Sequence, residues 1–192
     1  MQRREILASG SVALSTSVSD CLGYFGDDEK RGSVRITEVS PDPQPTLSVS
    51  PEVSITDAVG DKQSPASIRV AWTNETDDTV TLSGKYQMIF TAQTSEEGNV
   101  RLLGEPGNWN VEFDGCWHMT GPIGTDGAYP SITFEPGEVH QGTSGIYASD
   151  ESCLSSGEYR FKISINEQDS PHTNDQGVTD WWGFVLEIVV DK

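Results

Sequence analysis

Lysine is scarce in this chain. Five lysines and seven arginines stand against 30 Asp and Glu, a net charge of −18 over 192 residues. A surface of that sign repels nucleic acid and anionic head groups, and no basic patch is left to hold phosphate, so nucleic acid is excluded as a partner. Long apolar runs are missing too. The first apolar stretch, residues 6–18, is too short and too rich in Ser and Gly to span a bilayer as a helix, and no segment keeps a 3.6-residue period. Histidine is limited to His118, His140 and His172, with no His-x-His or His-x3-His pair for zinc; exposed turns are the expected place for all three. Gly142-Thr143-Ser144-Gly145 lacks the spacing of a nucleophile elbow, which leaves no catalytic serine and predicts a protein that is not an enzyme.

What is present falls into three parts. Residues 1–20 open with Arg3-Arg4 ahead of the short apolar stretch, an arrangement that reads as a twin-arginine export signal. Residues 21–45 mix charge and glycine with Pro41, Pro43 and Pro45, which favour an extended tether, although the run 34–39 also suits a first edge strand. Residues 46–192 form the domain. Removing the signal leaves ten cations and 28 acids, 10 − 28 = −18. In molar salt the Debye length falls to about 3 Å, so such a surface stays soluble and its self-repulsion is screened. The composition therefore suits a protein that works in high salt.

Short alternating runs dominate the domain. Ile68, Val70 and Trp72 alternate with polar or small residues, as do Tyr86, Met88 and Phe90, then Trp109, Val111 and Phe113, and most clearly Tyr159, Phe161, Ile163 and Ile165. Residues 182–190 are apolar on both faces apart from Glu187, the pattern of a central strand. Turn signals such as Pro136-Gly137 and Ser155-Ser156-Gly157 separate the runs. Seven to nine strands in about 145 residues predict an all-β, two-sheet β-sandwich.

Two resemblances follow from particular residues. Arg3-Arg4, Ile6-Leu7 and a small-residue run ending at Val18-Ser19-Asp20-Cys21 resemble the signals of Tat-exported surface lipoproteins of halophilic archaea. Asp20 departs from the small residue expected before the cysteine. The resemblance implies lipidation of Cys21 and attachment to the outer face of the cell membrane, or release to the medium if Cys21 is not lipidated. Pro136-Gly137-Glu138, Gly157-Glu158-Tyr159 and the terminal apolar strand resemble bacterial and archaeal immunoglobulin-like domains carried by such lipoproteins. It implies an immunoglobulin-like fold and a non-catalytic binding, adhesion or envelope role toward a surface protein or glycan. Phe161 stands where antibody-type domains place the second cysteine, so the usual inter-sheet bridge is not expected.

Several residues remain as candidates. Cys116 and Cys153 are an even pair in an exported chain and favour a disulfide; a free buried pair or a metal site is the other reading. Cys116-Trp117-His118-Met119 combines soft ligand types, so a secreted metal-binding or redox protein using Cys116, His118 and Met119, with His140, is the alternative function; neighbours on an extended chain point apart, however. No cofactor is expected. The acidic groups 27–29, 75–78 and 166–175 hold oxygen ligands of the calcium type without the spaced loop pattern. Asn74-Glu75-Thr76 is a glycosylation sequon in an expected exposed turn. Trp117 and Trp181 are the tryptophans expected at a contact surface, whereas Trp72, Trp109 and Trp182 lie on core patterns. Residues 121–130 are a loop suited to protease inhibition, a third and weaker option.

Overall fold

A computed structural model describes residues 33–84, 88–105, 107–122, 131–168 and 177–191. Period-2 patterning becomes two sheets. The first holds six strands in the order β10 (Ser131–Phe134), β5 (Val80–Ser83), β12 (Gly157–Gln168), β13 (Val178–Val190), β1 (Val34–Pro41) and β3 (Val59–Gly60). The second runs β2 (Val49–Asp57), β4 (Ser67–Asn74), β11 (Val139–Ala148), β7 (Val100–Gly104) and β6 (Ala92–Thr94). It is extended by β9 (Trp117–Met119), which meets β11 at His118 beside Ala148, and by β8 (Val111–Phe113), which pairs with β9.

The strand order is that of an immunoglobulin-like sandwich: β2-β4-β11-β7 takes the A-B-E-D positions and β5-β12-β13 the C-F-G positions. The chain departs by visiting β6 to β9 before β10, so a long insertion separates β5 from its neighbour β10. At the start of β12 the Tyr159 hydroxyl donates to Ser155 O at 2.6 Å, the corner contact that fixes entry into the F strand of such folds. Phe161, where a disulfide might have stood, is fully buried and stacks on Phe184 with ring centroids 5.6 Å apart.

Inward residues of the two sheets meet in an aromatic core. Trp72 of β4 and Trp182 of β13 cross edge to face at 5.3 Å, and Phe90 packs on Phe184 at 4.8 Å; such pairs contribute about 1 kcal/mol each beyond their burial. The Trp72 indole donates to Met88 O at 2.8 Å, which satisfies its only polar atom inside the core. Strand β13 lies between β12 and β1, as its two-sided apolar run predicts.

Three expectations change. Within the expected tether, residues 34–41 take the strand alternative that the run 34–39 offered, because Val34 and Ile36 reach the core while β13 pairs along β1 with a register shift between Ile36 and Glu38. The run that includes Met88 and Phe90 is not a strand; Met88 N donates to Gly84 O at 3.0 Å in a helical turn, and Phe90 takes φ 54°. Met88, Ile89 and Phe90 are then all buried, where a strand would have sent Ile89 outward. Trp109 lies before β8 and is half-buried, its indole donating to Gly104 O at 2.9 Å.

Candidate functional site

The insertion and the β11–β12 connection meet at a disulfide. Cys116 sits in the bend between β8 and β9, and Cys153 follows β11; their Cα atoms are 5.7 Å apart and the two sulfurs are bonded. Gly115 (φ 105°) permits the bend and Cys153 adopts φ 58°, so both cysteines are presented from tight turns. The bridge excludes a thiolate at Cys116 while it stands.

His118 lies beside it. Strand β9 buries the ring to 2% exposure, and Nδ1 is 3.2 Å from Asp114 Oδ1 and 3.4 Å from Cys116 O. Ligand atoms of Asp114, Cys116 and His118 fall within 4.8 Å of one another. Met119 is also buried and faces a pocket of about 460 Å³ lined by Thr120, Gly121, Ser149, Asp150, Glu151 and Ser152. Asp150 is held below the usual carboxylate range, first by the Ser152 hydroxyl, then by the Ser152 amide, with attraction from His118 adding a little. The histidines are thus not a set of exposed turn residues: His118 is in β9, His140 is in β11 opposite Trp72, and His172 lies outside the described residues.

The second place of interest is the outer face of the six-stranded sheet. Trp181 is 56% exposed on β13, opposite Ser164, and the Lys162 ammonium rests 5.2 Å from its ring. Asp180 beside it accepts from Thr46 N at 2.7 Å, from the Thr46 hydroxyl at 2.8 Å and from Trp181 N at 2.7 Å. These bonds, the Thr46 amide foremost, hold the Asp180 carboxyl below its ordinary range. Ser48 N adds a 2.7 Å bond to Glu167, and Arg160 forks onto Asp42 at 2.7 and 2.8 Å. The crossover from β1 to β2 is therefore strapped across the sheet next to Trp181.

Trp117 differs from Trp181. It is half-buried between Phe113 (5.4 Å) and Tyr147 (6.1 Å), and its indole donates to Asp61 O at 2.7 Å. Burial pushes the Tyr147 hydroxyl up, while the amides of Gln63 and then Ser64 draw Asp61 down.

Asn74 is fully buried, not in an exposed turn. Its Nδ2 donates to Asp78 O (2.8 Å), Phe134 O (3.2 Å) and Glu135 O (3.2 Å), while Oδ1 accepts from Thr76 N and Oγ1. A glycan on that nitrogen would displace three backbone carbonyls from their donor, so the fold argues against the acceptor reading. Of the acidic groups, Glu75 accepts the Ser50 hydroxyl at 2.8 Å; residues 27–29 and 169–175 lie outside the described residues, as do Arg3, Arg4, Cys21 and most of the 121–130 loop. No helix among the described residues is long and apolar enough to cross a membrane.

Sequence reasoning missed Asp114 and Asp150. The signal for Asp114 was its alternation with Cys116 and His118, three ligand types at every second position. The fold defines a class, an immunoglobulin-like sandwich with a disulfide-tied insertion. No protein-family model, curated protein or solved structure matches the chain.

Proposed function

We propose that the chain is a non-catalytic surface-binding module, exported through its twin-arginine signal and held on the outer face of the cell membrane by a lipid on Cys21. The observation that carries the binding role is Trp181. A large ring more than half exposed on a sheet face, in a domain where Trp72 and Trp182 are fully buried and Trp117 half-buried, is an aromatic platform of the kind that contacts glycan or protein surfaces. The Lys162 ammonium lies over the ring, Ser164 is its cross-strand partner and Thr179 stands two residues before it on β13, so polar residues neighbour the apolar plane. Attachment rests on Arg3-Arg4 and Cys21, and on the Cys116–Cys153 bridge, which suits an oxidising exterior.

Crosslinking on intact cells in molar salt tests the platform. Wild-type protein should capture a discrete surface partner, and Trp181→Ala should lose it while keeping its melting midpoint; equal capture by both overturns the role of Trp181. Cys21→Ser should move the protein from membrane to medium, and unchanged membrane association would remove the lipid anchor. The alternative, a secreted metal-binding or redox protein built on Cys116, His118 and Met119, draws support from the clustering of Asp114, Cys116 and His118. The bridge at Cys116 ranks it second.

A further inference from the structure

The disulfide sits inside a set of metal-ligand types. Around the bonded sulfurs stand the His118 imidazole, 2% exposed, and the Asp114 carboxylate, 3.2 Å from Nδ1. Because Cys153 Sγ is bonded to Cys116 Sγ, four donors share one small volume: two sulfurs, one nitrogen and one oxygen. We propose that Asp114, Cys116, His118 and Cys153 form a redox-gated site for a zinc-class cation, closed while the disulfide stands and opened by its reduction.

Four N, S and O donors on a tetrahedron are the ligand set zinc prefers, with bonds of about 2.0–2.3 Å. The ligand atoms of Asp114, Cys116 and His118 lie within 4.8 Å of one another, a spacing from which an ion of that size can draw them in. The backbone is suited to it. Asp114, Cys116 and His118 come from one bend and the strand after it, and Cys153 faces them from a separate turn. The neighbouring pocket, rimmed by Asp150 and Glu151, gives a cation an acidic approach.

Opening the site is balanced by a dithiol reductant: the S–S bond breaks, both cysteines gain a hydrogen, and the reductant closes its own disulfide. Binding then exchanges the two thiol protons for the cation. Asp114 and neutral His118 complete the shell, giving +2 − 2 − 1 = −1 for the site, with the imidazole kept neutral by donating its lone pair. This inference goes beyond the surface-binding role and does not rest on it. It also differs from a Cys116-His118-Met119 site, since Asp114 and Cys153 take the place of Met119, which lines the neighbouring pocket.

Cobalt(II) is the probe, titrated into full-length protein in molar salt with and without a trialkylphosphine, which takes oxygen from water as it delivers the two thiol hydrogens. The reduced protein should bind one equivalent with tetrahedral d–d bands and a thiolate-to-metal charge-transfer band, and zinc should displace it. The oxidised protein should show neither band. Asp114→Asn and Cys153→Ser should each weaken binding at least about tenfold, the lower end of what a change even to an outer-shell partner of a ligand costs. Ser149→Ala, on the pocket wall, should not. If reduction unfolds the domain, added zinc should restore its near-ultraviolet signal. Equal cobalt binding by oxidised and reduced protein, an octahedral spectrum, indifference to Asp114→Asn, or failure of zinc to refold a reduced, unfolded chain would each overturn the site.

Discussion

Asn74 ties two turns together with one side chain. Its amide nitrogen collects the carbonyls of Asp78, Phe134 and Glu135, its oxygen takes both donors of Thr76, and its backbone pairs with the Pro136-Gly137-Glu138 turn through Gly137 N and Glu138 O. Asn-x-Thr is the pattern of a glycan acceptor and also of an Asx turn closed by a threonine, because both need an amide two residues before a hydroxyl. The sequence could not separate them; the burial of Asn74 favours the Asx turn. Asn74→Asp keeps the shape and the oxygen acceptor but removes both N–H donors and sets a carboxylate against three carbonyls. It should cost about 3 kcal/mol in a urea melt, at the upper end for a single buried polar change. Thr76→Ala destroys the sequon while leaving the Nδ2 contacts, and should cost under half of that. Equal losses for the two variants would show that the turn, not the buried amide, carries the stability.

Strands were legible where alternation was clean. β4 and β12 bury Ile68, Val70, Trp72, Phe161, Ile163 and Ile165 in the expected register, and the two-sided run of β13 is central. The helical turn around Met88 was not legible, since Met88 and Phe90 alternate as in a strand and only the fold shows Ile89 buried between them, with Trp72 bonded to Met88 O and Trp182 packed on Phe90. β1 was legible only as the alternative to a tether, since Pro41, Pro43 and Pro45 fall at or beyond its end, where no ladder donor is needed. The strap after β1 escaped notice because its partners, Asp180 and Glu167, lie over 100 residues away. Of the two candidate sites, exposed Trp181 was anticipated, whereas Asp114 showed in the sequence only as a ligand type alternating with Cys116 and His118, and the bend sets it 3.2 Å from Nδ1. The strap makes an acid-sensitive element. Asp180 has its folded pKa depressed, so its stabilising bonds are complete above the ordinary aspartate value of about 3.9 and are lost as pH falls through the lower folded value. The amide protons of Thr46 and Trp181 should therefore shift together in that acid window. In Asp180→Asn neither should titrate there, and a midpoint at or above the ordinary value would mean that the carboxylate is not held.

At the scale of the molecule, charge sets the conditions under which everything above holds. Ion pairs among the described residues are few: Arg160 with Asp42 at 2.7 Å and Arg35 with Asp191 at 3.5 Å are the Arg–carboxylate contacts, and Lys162 is engaged with Trp181. Thirty acids against 12 cations leave most carboxylates without a cation to pair with. Salt acts on the two populations in opposite directions. It weakens exposed pairs, each worth at most about 1 kcal/mol, and it relieves the summed repulsion of −18 charges on a small domain, which has no comparable limit. Raising ionic strength from 0.1 to 1 M shortens the Debye length from about 10 to 3 Å, which screens repulsion between exposed charges farther apart than that. Net stabilisation should follow. Urea is the denaturant to use, because guanidinium chloride would itself screen. The urea midpoint should climb steeply up to about 1 M NaCl and then flatten, with KCl superimposable, since screening counts charge and not ion identity. A midpoint that is flat in salt would show that repulsion is not what limits this fold; one that keeps rising linearly past 1 M would point to apolar burial strengthened by salt exclusion instead.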